Sequence, residues 1–319
     1  MDNKNIIIAA GAALFILLAA IAVVAASAGS SGDSKGSLGG GLGSIFNPGC
    51  VGVIDISGEI TTQDSPAGLF SQGVSGSQTI ADQIRQADGD DSVKAILLTI
   101  DSPGGSVVAT QEIYDALEKS KKPKVAYFRE TAASGGYYVG AAADYIVSEP
   151  AALTGSIGVR ATVTDLSPLF EKIGYNETTF KSGQFKDMGD YARPMTDGEK
   201  AIFQSIVDEI FQDFKAAVLK HRAGKIDTAR LGEIFDARVM TGRQALSYGL
   251  VDKVGNEDDA LQKAAQLGGL EYSDKPDTCS FSSRKGSLLE DLFASSAYSF
   301  GRGIAAALGG SAQSVRLTQ

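Results

Sequence analysis

Histidine is almost absent from this chain. Its 319 residues include one, His221, and that scarcity excludes a metal site built on histidines. It also leaves a Ser-His-Asp triad only one candidate base. His221 stands in the polar run Leu219-Lys220-His221-Arg222 at the end of an expected helix. A cationic ring there is ordinarily solvated and favoured by the helix dipole, so a serine nucleophile in this chain needs another base. Cysteine is nearly as scarce. Cys50 and Cys279 are the only two, too few for a four-cysteine metal site or a disulfide framework. The plainer expectation is two free thiols, with pairing open only in an oxidising compartment. Positive charge is in deficit, with 29 Lys+Arg against 38 Asp+Glu and a net charge of −9. That balance argues against nucleic acid as a partner. No internal repeat is visible, and 43% apolar with 21% charged residues suits an ordinary globular chain.

Charge is missing altogether from Ile6 to Ala28, 23 residues. At 1.5 Å per residue such a helix crosses a bilayer core of about 30 Å. Ala26-Ser27-Ala28 resembles a signal-peptidase site, but a signal h-region usually has only about 7–15 residues, so the length favours an uncleaved anchor over residues 1–28. Residues 29–49 are Gly/Ser-rich and read as a flexible tether. A folded domain is expected over 50–270, with a Ser/Gly/Ala-rich tail, flexible or loosely docked, over 271–319.

Within the domain, Val51 to Ile56 reads as a strand and Gln78 to Ala87 as a helix. Val93 to Ile100 (VKAILLTI) is a nearly continuous apolar run, as in a strand buried on both faces. The glycine turn Asp101-Ser102-Pro103-Gly104-Gly105 follows, then a helix to Lys119 and a strand Lys124 to Phe128. Strand–helix–strand units at this spacing imply crossover connections and parallel pairing, hence an α/β fold. Further on, Thr196-Asp197-Gly198-Glu199 is a capping box opening a long amphipathic helix to Leu219. The domain is expected to close near Leu267.

The chemistry centres on Thr131-Ala132-Ala133-Ser134-Gly135-Gly136-Tyr137-Tyr138. Ser134 lies between small residues and a Gly-Gly pair at the entry to a helix, the way a nucleophile is presented on a turn. Its hydroxyl needs a base to share the proton. The attacked carbonyl needs donors about 3 Å from its developing charge. The N–H of Gly135 is one candidate donor, and that of Gly104 or Gly105 is another, because a side chain at these positions would block the approach. A lysine serves as the base when burial makes it neutral. Lys181 and Lys186, in Lys181-Ser182-Gly183-Gln184-Phe185-Lys186-Asp187, are candidates. Spacing does not choose between them, and Asp187 by itself would hold a neighbouring lysine charged.

Four motifs occur together: Ala133-Ser134-Gly135-Gly136-Tyr137-Tyr138, Ser102-Pro103-Gly104-Gly105, Thr154-Gly155-Ser156-Ile157-Gly158-Val159 and Lys181-Ser182-Gly183 with Lys186-Asp187. With Arg193-Pro194-Met195-Thr196 and Gly242-Arg243-Gln244-Ala245, they resemble the signal peptide peptidase A family of membrane-bound Ser-Lys serine peptidases. The resemblance runs from about Val51 to Leu267, and the length matches the family's short form, which lacks a tandem duplication. It implies Ser134 as nucleophile, Lys186 as general base 52 residues later, Ser156 orienting the lysine amine, and Gly104 or Gly105 with Gly135 as oxyanion donors. No metal and no cofactor is expected. The implied fold is similar to the Clp protease and crotonase folds, a superhelix of β-β-α units, here behind an N-terminal transmembrane helix. The implied activity is endopeptidase cleavage of signal-peptide remnants and other apolar peptides at the membrane. The catalytic domain is expected on the extracytoplasmic side, in a ring-shaped homo-oligomer whose serine and lysine can come from neighbouring subunits.

Three rivals stand beside this reading. A crotonase-type acyl-CoA hydratase or isomerase would use the same glycine donors, but the membrane span and Lys186 speak against it. A catalytically silent membrane scaffold would leave Ser134 and Lys186 without purpose. A penicillin-binding type of enzyme is suggested by Ser282-Ser283-Arg284-Lys285, but the motif order is inverted and no S-D-N occurs.

Overall fold

The computed structural model describes residues 49–65, 74–272 and 274–281. The expected anchor, nearly all of the tether, the S-x-x-K run and most of the tail lie outside the described residues. Among the described residues no helix is long and apolar enough to cross a membrane.

In chain order the elements are β1 (Cys50–Ser57), α1 (Ser77–Gly89), β2 (Val93–Ser102), α2 (Val107–Lys119), β3 (Lys124–Ala133), α3 (Gly135–Ala141), β4 (Tyr145–Ser148) and β5 (Leu153–Gly155). They continue with α4 (Ser167–Ile173), α5 (Asp197–His221), a 3₁₀ turn (Thr228–Arg230), α6 (Leu231–Ile234), β6 (Val239–Thr241), α7 (Gly242–Ser247), β7 (Lys253–Val254), α8 (Glu257–Leu267) and β8 (Thr278–Ser280). The fold is mixed α/β. Its main sheet runs β6-β5-β3-β2-β1-β8, parallel throughout except for the β5–β6 pair.

β2 is the centre of the sheet for the reason its sequence suggests. Ile96, Leu98 and Ile100 face a core shared with α1 and α2. Ala95 and Leu97 face the other way, onto Ala260, Leu261, Ala264 and Ala265 of α8. Burying each large aliphatic side chain contributes roughly 1.5–3 kcal/mol, so a strand apolar on both faces is stable only between two helical layers.

β3 explains how the sheet opens at one end. Its first half, Val125 to Phe128, pairs with β4. Its second half, Thr131 to Ala133, pairs with β5. The buried Thr154 hydroxyl donates to the Ala132 carbonyl at 2.7 Å, fixing that second register. The ends of β2, β3 and β5 therefore converge on one edge, and in open parallel sheets the carboxyl ends of strands border the binding crevice.

Two expectations need correction. The cysteines are not free: Cys50 and Cys279 form a disulfide with their α-carbons 5.8 Å apart, because β8 pairs in parallel with Val51 to Val53 at the edge of the sheet. A short strand, β8, thus follows α8 at Thr278–Ser280. Nor is His221 solvated. Its side chain is 15% exposed, and its Nε2 lies 2.9 Å from the Tyr114 hydroxyl. The capping box of α5 is present, with Thr196 accepting from the Glu199 amide and Glu199 accepting from the Thr196 amide.

Candidate active site

Strand β3 ends in Ala133 and α3 begins at Gly135, so Ser134 makes the whole connection. It does so at φ 52°, ψ −121°, a region that costs a residue with a β-carbon on the order of 1–3 kcal/mol. The conformation is held from both sides. The Ser134 amide donates to the Gly155 carbonyl at 2.9 Å, and its carbonyl accepts from the Tyr138 amide at 2.9 Å. The glycines after it are sterically required. A β-carbon at Gly135 would sit 2.6 Å from Thr110 Oγ1, and one at Gly136 would sit 2.7 Å from the Ser102 carbonyl oxygen.

The second glycine turn packs against the first. Gly104 has φ 95°, and a β-carbon on it would lie 2.6 Å from the Gly135 amide nitrogen and 3.0 Å from the Ser134 β-carbon. The two glycines of this turn differ in one chemical respect. The Gly104 amide donates to the buried Ser102 hydroxyl at 3.1 Å. The next residue is stitched to Ile60 through its flanking groups, with the Ile60 amide donating to the Gly104 carbonyl and the Ser106 amide to the Ile60 carbonyl. That leaves the Gly105 N–H without an acceptor among the described residues. The Gly135 N–H opens a helix and has no intrahelical partner either. Two unengaged backbone donors thus flank Ser134.

Ser156 arrives from the neighbouring strand. It follows Gly155 at the end of β5, also has a positive φ of 51°, and its amide donates to the Arg238 carbonyl at 2.8 Å. Ser134, Gly135, Gly104, Gly105 and Ser156 all line one cleft of about 1230 Å³. Its remaining wall mixes apolar side chains, among them Val107, Val108, Tyr138, Phe214 and Ala217, with the charged Glu59, Glu112, Asp115, Arg160, Asp213 and Lys220. Burial pushes the Tyr138 phenol up to about 12, so it stays neutral and donates to Gln111 Oε1 at 2.9 Å.

Lys186 does not line this cleft. It lies exposed on a run of turns between α4 and α5, with its amide donating to the Gly183 carbonyl at 3.2 Å. Large apolar side chains accompany it at the surface, including Phe180 at 94% exposed, Ile173 at 66% and Tyr191 at 50%. Lys181 is engaged, pairing with Asp187 at 2.7 Å. Hydrogen bonds from Arg193, then from Lys181, hold the Asp187 carboxyl well below the usual range. His221 is remote from Ser134 in its contacts: it meets Tyr114 and Glu118. Burial pulls its pKa down.

Two features of this region escape sequence reasoning. Thr110 is buried with its hydroxyl unpartnered among the described residues, and it packs directly over Gly135. Its place on α2 carries no local pattern to mark it. Arg193 grips the segment that carries Lys186, and only its place in the Arg193-Pro194-Met195-Thr196 motif draws notice.

Comparison with known proteins gives the same direction. Residues 116–271 match Peptidase family S49 and residues 72–153 match Clp protease. A protein of Enterococcus faecium provisionally named signal peptide peptidase SppA is 36% identical over 241 residues, 73% of this chain and 67% of that one. A provisionally named protease of Methanocaldococcus jannaschii is 40% identical over 205 residues, 64% of this chain; the chain spans 65% of that relative's length. Protease 4 of Salmonella typhi is 32% identical over 237 residues, 72% of this chain and 37% of that one.

Proposed function

From the premise that the chain belongs to the signal peptide peptidase A family, peptidase family S49, and is a serine peptidase, we propose that Ser134 is its nucleophile and Lys186 its general base. The observation that carries the reading is the Ser134 turn: a strained serine at the end of a buried strand, on the rim of a cleft, between two backbone donors with no other acceptor among the described residues. A peptide carbonyl attacked by Ser134 Oγ would develop negative charge, and the N–H groups of Gly105 and Gly135 would receive it. Gly104 contributes space rather than its amide, which Ser102 already occupies.

The choice of Lys186 over Lys181 has support in the ion pairs. Lys181 Nζ is tied to the Asp187 carboxylate at 2.7 Å, so its amine is not free to reach a serine hydroxyl. Lys186 forms no ion pair among the described residues. Because it stands outside the cleft of its own chain, we propose that it completes the cleft of a neighbouring subunit in a homo-oligomer, with Ser156 orienting its amine. The apolar side chains exposed on the same run suit burial in such an assembly. The apolar part of the cleft wall, Val107, Val108, Phe214 and Ala217, suits apolar substrate residues, and the class of substrate we propose is the remnant of cleaved signal peptides at a membrane. An anchor over residues 1–28 would hold the domain beside it on the extracytoplasmic side.

Fluorophosphonate labelling and peptide turnover test this together. Ser134→Ala should lose both, Lys186→Ala should lose turnover and label slowly, and co-assembly of the two variants should restore turnover. A Lys186→Ala enzyme at the wild-type rate sinks the dyad. Co-assembled variants that stay inactive sink its completion between subunits.

A further inference from the structure

Asp187 follows Lys186 directly in sequence, and a carboxylate so placed would ordinarily hold the amine charged. The structure commits Asp187 elsewhere. Its carboxylate accepts from Lys181 Nζ at 2.7 Å and from Arg193 Nε at 3.1 Å, and its side chain is only 10% exposed. Arg193 reaches further. One guanidinium nitrogen donates to the Asp187 carbonyl at 2.9 Å, and another donates to Glu199 Oε2 at 2.9 Å. Glu199, 2% exposed, is the third residue of α5 and closes its capping box. One guanidinium fork thus ties the turn after Lys186, by backbone and side chain, to the first turn of a 25-residue helix.

The other charges nearby are also accounted for. Asp190 accepts from the Ala192 amide at 2.7 Å, and Asp197 pairs with Lys200 at 3.0 Å. The short helix α4, which meets this run through the rings of Phe170 and Tyr191, carries Glu171 and Lys172, with no ion pair among the described residues, and Asp165 just before it accepts from Ser167. Of the cations between residues 181 and 200, Lys186 is the one with no ion pair among the described residues.

We propose that Arg193 is a positioning residue for catalysis: by clamping Asp187 and Glu199 together it fixes the turn that presents Lys186 and keeps the adjacent carboxylate from capturing the Lys186 amine. The inference rests on Lys186 being the base. An arginine suits the task because its planar fork serves two carboxylates and a carbonyl at once, which a lysine cannot do. Lys181 completes the neutralisation of Asp187 from the other side.

The test is steady-state turnover of an apolar peptide by the full chain. Arg193→Gln should lower kcat roughly 10- to 100-fold, the scale of a misplaced catalytic group. KM should move by less than about twofold, since no substrate contact is removed. Arg193→Lys should fall between. Asp187→Asn in the Arg193→Gln background should return part of the lost kcat, because the carboxylate loosened by the first change is then gone while the clamp on the turn is not restored. Unchanged kcat in Arg193→Gln, a loss borne by KM, or a double variant no better than the single one overturns the proposal. If Arg193→Gln has no cooperative thermal transition, Arg193→Lys carries the test, and wild-type kcat there overturns it. Lys186→Ala separates the two possible failures. Full activity in that variant removes the base reading and this proposal with it. An inactive Lys186→Ala beside a fully active Arg193→Gln removes only the role of Arg193.

Discussion

Ser134 and Ser156 leave neighbouring parallel strands with a positive φ, 52° and 51°. The Ser134 amide donates to the Gly155 carbonyl, one residue before Ser156, so one hydrogen bond couples the two turns. Neither serine is needed for its turn; glycine would make both without strain. Retaining a hydroxyl at a costly φ is evidence that the hydroxyl matters more than the backbone.

That trade predicts the behaviour of Ser134→Gly. The variant should lose peptide hydrolysis yet unfold at a higher temperature than the wild type, because about 1 kcal/mol or more of local strain is relieved. Ser134→Ala should be equally inactive without the gain, since it keeps the β-carbon. Thermal unfolding of the three proteins decides the matter. A Ser134→Gly variant less stable than Ser134→Ala would mean that the turn is not strained, and the functional argument drawn from that strain would go with it.

Much of this architecture was legible in the sequence, and the reason is local. The VKAILLTI run, the Ser134 turn and the Thr196 capping box each declare themselves within eight residues. What stayed hidden depends on partners distant in sequence. Nothing near Cys279 announces a three-residue strand that returns to Cys50 across 229 positions. That the Ser102 hydroxyl takes the Gly104 amide is a matter of packing that no local pattern announces. Lys181 and Lys186 are equivalent by spacing, and the pairing of Lys181 with Asp187 shows only in the structure. His221 looked solvated because the tyrosine that covers it lies 107 residues away.

The disulfide gives a second prediction. It fastens the edge strand β8, whose pairing with β1 covers only three residues on each side, too few to hold the segment firmly alone. Reduction, or Cys279→Ser, should therefore lower stability by about 2–4 kcal/mol. Ser134 and its cleft lie at the far strand ends, so labelling of Ser134 by a fluorophosphonate should survive at temperatures below the lowered transition. Equal unfolding temperatures with and without reductant would show that the bond contributes nothing.

Because the chain has one histidine, His221 is the one side chain whose ordinary pKa falls between pH 7 and 5.5. Burial against Tyr114 pulls the His221 pKa below its ordinary value near 6.5, with Glu118 offsetting part of that effect and Lys220 adding to it. The folded state therefore binds this proton less readily than the unfolded one. Above pH 6.5 the ring is neutral in both states and its contribution is fully present. As pH falls through 6.5 the unfolded chain takes up the proton first, and stability is lost until the folded state is protonated too. The slope cannot exceed that of one proton, about 1.4 kcal/mol per pH unit. The unfolding temperature should thus be flat from pH 8 to 7 and fall below 6.5. His221→Gln, which can still hydrogen-bond to the Tyr114 hydroxyl, should flatten the lower part of the curve. A wild-type unfolding temperature that rises as pH drops from 7 to 5.5 would show instead that the pairing with Glu118, 3.1 Å away, outweighs burial.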